Sequence, residues 1–256
     1  MKLDVLDLQG TKKGAVELPS QFTDEYEPSI IKRAVLAFLS KIRQPYGADP
    51  EAGFRHSAKL SRRRKDYKTP YGKGMSRVPR KTMWRRGMQF GWVGAEVSGT
   101  KGGRRAHPPV AWKDWTHKIN KKENAKAIRS ALSGAVEEKK MKIIVDDVQK
   151  LIKTKEFNKV LLSLGFKEEI ERTSDRKVRA GRGKSRGRKY KNKVGPLFVV
   201  NDVDAVKKLS NIIGFDVVYV DTINPSMLTK GHQDLRDTVW TKSAVEKVGK
   251  EKMFVR

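Results

Sequence analysis

Residues 72–87 read GKGMSRVPRKTMWRRG, six cations in sixteen positions with a tryptophan among them. Guanidinium groups present a planar fork of donors that matches a phosphate edge, and an indole offers a flat face to an unstacked base. Glycine lets a backbone approach closely. This is recognition chemistry, because the stretch holds no carboxylate, cysteine or histidine to act as acid, base or nucleophile. Catalytic groups are sparse elsewhere too. The chain has no cysteine, which removes thiol catalysis, thiolate metal sites and disulfides and fits a reducing compartment. His56, His107, His117 and His232 are scattered without metal-ligand spacing, so no metal is expected. GRGKSRG (181–187) looks like a phosphate loop for three residues, but that motif's first glycine would fall at Val178 and no apolar strand leads in. LFVVNDVDAV (197–206) has no glycine in its turn, so a dinucleotide site is not expected, nor any other cofactor. Asp146 and Asp147 follow a strand-like run, where α/β enzymes often place chemistry; ending the strand and capping the next helix is the plainer role.

Charge is the dominant property of the chain. Its 256 residues carry 57 Lys and Arg against 29 Asp and Glu, a net +28. Residues 53–109 hold 16 of the cations and two acids, a net +14, and residues 172–193 hold 11 cations and one acid, a net +10. Only +4 is left for everything else. A nearly neutral body thus carries two basic segments, and charge of this density calls for a polyanion, with nucleic acid first. No apolar run of membrane-spanning length occurs, and MKLDVLDLQG lacks the pattern of a signal peptide, so no membrane partner is expected.

The first basic segment lies within residues 45–115, which show no sustained helical or strand period but hold Phe54, Tyr67, Tyr71, Trp84, Phe90, Trp92, Trp112 and Trp115. A merely solvated loop would lack such rings. Fully extended, a there-and-back excursion of this length reaches at most about 90 Å. The residues expected to contact RNA are Arg55, Lys59, Arg62, Arg63, Arg64, Lys65, Lys68, Lys73, Arg77, Arg80, Lys81, Trp84, Arg85, Arg86, Trp92, Lys101, Arg104 and Arg105. Trp112 and Trp115 are expected to pin the base of the loop. In the second segment the candidates are Arg179, Arg182, Lys184, Arg186, Arg188, Lys189 and Lys191, on a tract expected to be disordered until phosphates order it.

The body that must position these segments alternates between two periods. An extended start (Leu3, Val5, Leu6, Leu8) precedes a helix through Ile31, Ala34, Val35 and Phe38 that Pro45 stops. A second helix is expected from Asn120, with Glu123 completing a capping box. Three apolar runs follow, KIIV (142–145), LFVV (197–200) and FDVVYV (215–220), each leading to a helical pattern, the last through Ala244, Val245 and Val248. Continuous β-branched runs between helices predict an α/β fold with a mostly parallel, helix-covered sheet and a long basic loop inserted after the first helix. The expected division is a globular domain of 1–44 and 116–256, an extended RNA-penetrating loop of 45–115, and a basic loop of 172–193 within the globular domain.

RQPYGADPEAGFRHSAKLSRRRKDY (43–67), YGKGMSRVPRKTMWRRGMQF (71–90), GGRRAHPP (102–109), KINKKENAKAIRSALS (118–133) and VWTKSAVEKV (239–248) resemble the archaeal and eukaryotic branch of the large-subunit ribosomal protein L-four family. The resemblance runs through essentially the whole chain in order. It implies a non-catalytic constituent of the large ribosomal subunit in the cytoplasm. Such a protein binds ribosomal RNA early in assembly and sends its loop to the wall of the nascent-peptide exit tunnel, opposite ribosomal protein L-twenty-two. It also implies neighbouring ribosomal proteins and the passing nascent polypeptide as partners, with no homo-oligomer. Gly72, Lys73, Gly74, Met75, Ser76 and Arg77 align with the family's tunnel tip. Bacterial relatives carry Gly-Thr-Gly-Arg there, and the Gly-Lys-Gly-Met of this chain leaves open which side chain faces the lumen. Two alternatives differ in class: a free regulatory RNA-binding protein, and an RNA-processing enzyme using Asp146, Asp147 or Asp221.

Overall fold

The computed structural model describes residues 1–65, 69–72, 74–231 and 234–255. Met1–Ile42 with Thr116–Arg256 form one unit, the body, and Arg43–Trp115 form a second. In chain order the elements are β1 (Lys2–Leu6), β2 (Lys12–Glu17), α1 (Pro28–Ile42), β3 (Arg80–Arg86), β4 (Gln89–Gly94), α2 (Lys121–Glu137), β5 (Met141–Ile144), α3 (Thr154–Ser163) and α4 (Lys167–Ser174). They continue with β6 (Lys177–Val178), β7 (Tyr190–Lys191), β8 (Leu197–Val200), α5 (Val203–Leu209), β9 (Asp216–Tyr219), α6 (Pro225–Leu228), β10 (Thr229–Lys230), β11 (Asp234–Leu235), β12 (Thr238–Thr241) and α7 (Lys242–Lys250). Among the described residues no helix is long and apolar enough to cross a membrane.

The body is built on a six-stranded sheet in the order β2-β1-β5-β12-β8-β9. Every pairing is parallel except that of β1 with β2, a hairpin on the sheet's edge. Successive side chains leave opposite faces of a strand, and here both faces are apolar. Ile143, Leu197, Val199 and Trp240 join one core with Ile31 and Val35 of α1, Ile128 and Leu132 of α2, and Val245 of α7. Their alternates Ile144, Phe198, Val200 and Val239 join the other with Phe157 and Leu161 of α3 and Leu209 of α5. The α/β architecture with a mostly parallel, helix-covered sheet is thus what the apolar runs predicted.

Two local differences stand out. β12, the sequence TVWT, is inserted between β5 and β8 as a fully buried strand. It is four residues long and half threonine, so no apolar run marks it. At the start of α2, Asn120 is the N-cap residue but makes no side-chain capping bond. Glu123 reaches across to Arg33 of α1 instead, at 3.0 Å, so the capping box gives way to an interhelical ion pair. By contrast the Asp202 carboxylate does accept from the Asp204 amide at 3.1 Å, capping α5.

Candidate nucleic-acid interface

The second unit begins and ends on a stack of rings. Tyr46 lies on Trp115 with centroids 4.7 Å apart, and the Arg43 guanidinium sits over both, 5.0 and 4.8 Å from the ring centres. This closes the two ends of the unit through cation–π and stacking contacts. Trp115 therefore does the pinning expected of it, while Trp112 is 79% exposed. The unit is also more ordered than two bare arms. β3 and β4 form an antiparallel hairpin with Trp84 opposite Gly91 and Arg85 opposite Phe90, and a bulge lies between Thr82 and Trp84. Gly87, at φ +57°, makes the tight turn between Arg86 and Gln89.

Alternation then separates the two candidate rings. Trp84 covers Gly91, where any Cβ would overlap the indole, and stays 55% exposed. Trp92 leaves the opposite face and stacks on Phe90, centroids 5.1 Å apart, with the Arg85 guanidinium 5.1 Å above Phe90. Met83 and Met88 of the same hairpin are also exposed, Met88 at 92%. The sequence reading missed this hairpin. Its signal was a glycine turn between runs holding Trp84 on one side and Phe90 and Trp92 on the other.

Arg80 departs most from expectation, being fully buried rather than facing a phosphate. Its Nη1 donates to the Val78 carbonyl at 3.0 Å and its Nη2 to that of Met75. Its backbone exchanges two hydrogen bonds with Lys59, at 3.1 and 3.2 Å. The amide of Ala95, itself fully buried, donates to Pro79 at 2.8 Å. The loop 75–80 is thereby closed on itself by one side chain. At the tip Gly72 and Gly74 adopt φ of +68° and +70° with open space about them, and exposed Arg77 has φ +55°. Met75 instead turns its sulfur towards Gly94. Lys73, like Lys68, Tyr67 and His232, lies outside the described residues.

The remaining candidates of this unit are at its surface: Arg55, Lys59, Arg62, Arg63, Arg64, Lys65, Arg85, Arg86, Lys101, Arg104 and Arg105 are exposed, and Lys81 is half-buried with its ammonium on the Lys101 carbonyl at 3.2 Å. Arg55 is paired with Asp49, and Arg64 lies 5.1 Å over the Tyr71 ring. Among the described residues Arg62, Arg63, Lys65, Arg77, Arg85, Arg86, Arg104 and Arg105 have no ion pair. Cations held at a surface without counter-charges are an anion-binding face.

Residues 172–193 are not structureless here. β6 and β7 form a short hairpin in which Lys177 faces Lys191 and Val178 faces Tyr190. Gly181 and Gly187, at φ +74° and +79°, turn the connection, and the Arg179 amide donates to Lys189 at 2.8 Å. Arg182, Lys184, Arg186, Arg188, Lys189 and Lys191 are exposed. Arg179 is half-buried, its Nε donating to the Arg188 carbonyl at 3.3 Å.

The strand-end carboxylates are occupied by bonds within the body. Asp146 accepts from the Ser243 amide at 2.9 Å and hydroxyl at 2.6 Å, so it caps α7 rather than the turn that follows it. Asp147 bonds Lys150 at 2.9 Å, and this hydrogen bond holds its carboxyl below the usual range. Asp221 bonds Lys247 at 2.8 Å, which, with a second bond from Lys247 to the Tyr219 hydroxyl, raises the lysine's affinity for its proton.

An α/β body whose strand-end acids are engaged in bonding, carrying a separate unit of unpaired cations and exposed rings between its first two helices, defines a polyanion-binding protein. The chain belongs to the ribosomal protein L4/L1 family, whose model matches residues 16–251. It is 43% identical to large ribosomal subunit protein uL4 of Nanoarchaeum equitans, over 99% of this chain and 100% of that one. It is 40% identical to the uL4 protein of Archaeoglobus fulgidus, over 97% and 98% of the two chains. The figure is 37% for that of Methanococcus vannielii, over 97% and 98%.

Proposed function

We propose that this chain is a structural, non-catalytic constituent of the large ribosomal subunit in the cytoplasm, where it binds ribosomal RNA and contacts neighbouring ribosomal proteins. The observation that carries the reading is end-to-end similarity to large ribosomal subunit proteins, up to 43% identity. The chemistry agrees with it, since the exposed cations of the second unit and of the β6–β7 connection suit phosphates, and Trp84 suits a base. In this reading the second unit threads ribosomal RNA and its turn at Gly72–Arg77 lies at the wall of the nascent-peptide tunnel, across from ribosomal protein L-twenty-two. The protein acts there as a single copy, early in assembly. Sedimentation of cell extract tests this: the protein is expected with large subunits at one copy each. Recovery mainly in a ribosome-free pool would overturn it.

A further inference from the structure

A concavity of about 400 Å³ opens at the base of the β6–β7 hairpin, lined by Arg172, Lys177, Lys191, Lys193 and Lys230 together with Asn192 and Val194. We infer that it is a built seat for one backbone phosphate of an RNA strand. The inference rests on the RNA-binding reading above and assigns residues that charge density alone does not single out. Lys230 lies outside both basic segments, on β10.

Three of the five cations are fixed from behind. Arg172 donates to Glu169 at 2.6 Å and to the Val194 carbonyl at 2.7 Å. Lys193 bonds Asp175 at 2.8 Å, and Lys230 bonds Asp237 at 3.0 Å and lies 3.9 Å from Glu169. These carboxylates hold their partners in place and cancel their charge. Lys177 and Lys191 are left over. They sit directly opposite each other across the antiparallel pair, and among the described residues neither has an ion pair. The nearest acid to Lys177 is Asp175, which is already bonded to Lys193.

Like charges placed directly opposite destabilise a strand pair, and a lone two-stranded hairpin is marginal to begin with. Here one of only two residue pairs is lysine against lysine. Nothing in the packing of the body requires that choice, because both residues are exposed. A bridging anion reverses its sign: two ammonium groups on one face of the hairpin converge on a phosphate, and the fixed cations behind them add field without adding mobility. The concavity also has room for the riboses on either side of the phosphate.

The test uses the full chain, a single-stranded RNA oligonucleotide and two double variants of equal charge loss. Lys177→Gln/Lys191→Gln alters the seat, and Lys155→Gln/Lys159→Gln removes two exposed cations of α3. In RNA titrations over a range of salt, the seat variant is expected to flatten the slope of log affinity against log salt by about 1.5, at about 0.7–0.9 per lost phosphate contact. The α3 variant is expected to leave the slope unchanged. In the free protein the seat variant should slow amide hydrogen exchange across residues 177–191, because the repulsion is gone. Weaker binding with a tighter free hairpin is a combination that a purely structural role for the lysines does not produce. Equal slopes for the two variants, or faster exchange in the seat variant, would overturn the proposal. Inorganic phosphate protecting the hairpin at lower phosphate concentration than RNA does would overturn the assignment to a strand phosphate. Wild-type chain that binds no RNA in the same titration would sink the parent reading instead.

Discussion

Arg80 and Arg86 stand at the two ends of β3, one fully buried and one exposed, and their chemistry divides accordingly. Replacing Arg80 with Met removes the donors held by the carbonyls of Met75 and Val78. Leaving such buried groups unsatisfied costs about 1–3 kcal/mol. Arg80→Met should therefore speed hydrogen exchange of residues 75–80 in the free protein, whereas Arg86→Gln should leave that exchange unchanged and flatten the salt slope of RNA binding by about 0.7–0.9. Equal exchange in the two variants would remove Arg80 from its closing role. The same loop decides what faces outward at the tip. Met75 turns onto Gly94 while Ser76 and Arg77 are exposed. In ribosomes carrying a photoreactive residue, position 77 is expected to label a stalled nascent chain and position 75 to label it weakly. The reverse pattern would reorient the turn.

Among the elements, β12 contributes most to the body for its length. Its four residues pair with β5 on one side and β8 on the other, and Trp240 packs edge-on to Phe22 with ring centroids 5.5 Å apart. Trp240 is fully buried. Trp240→Ala is expected to destabilise the protein by about 3–5 kcal/mol in urea unfolding, the range for truncating a buried large aromatic. Trp240→Phe should recover a good part of that. A loss below 1 kcal/mol for the alanine variant, as allows for a surface site at about ±0.5, would mean that the strand is dispensable. The β3–β4 hairpin works differently, since its two faces present different rings and its only tight turn is Gly87.

For the whole molecule, the body and its basic parts have separable physics. The His117 amide donates to the Ser40 hydroxyl at 2.9 Å, so the chain leaves and re-enters the body at adjacent points. A short Gly-Ser linker in place of residues 43–115 can span that gap. Such a variant should keep a cooperative thermal transition by circular dichroism and lose most of its RNA affinity; a body that no longer folds would show that the second unit is needed for its core. For the intact chain, about ten engaged cations give a slope of log affinity against log salt of roughly −7 to −9. A slope near −2, about three cations' worth by, would mean that most of the charge stays in solvent.

Much of this protein is legible along the chain because the relevant signals are local. Continuous runs such as LFVV mark strands buried on both faces, and the helical spacing of Phe157, Val160, Leu161 and Leu164 marks α3. Segregated charge marks the anion-binding parts, and the absence of cysteine excludes thiol chemistry. What the tertiary structure decided depends on which residues meet across long separations. TVWT has no strong strand signal, yet it becomes an interior strand because β5 and β8 leave a slot between them. Arg80 reads like every other arginine in its segment until the backbone of Lys59 and the turn at 75–78 enclose it. Lys177 and Lys191 are fourteen positions apart and become a charge pair only through register. Composition and period are properties of neighbours in sequence. Register and burial are properties of neighbours in space, set by whichever pairing buries the most apolar surface while leaving the fewest polar groups unmet.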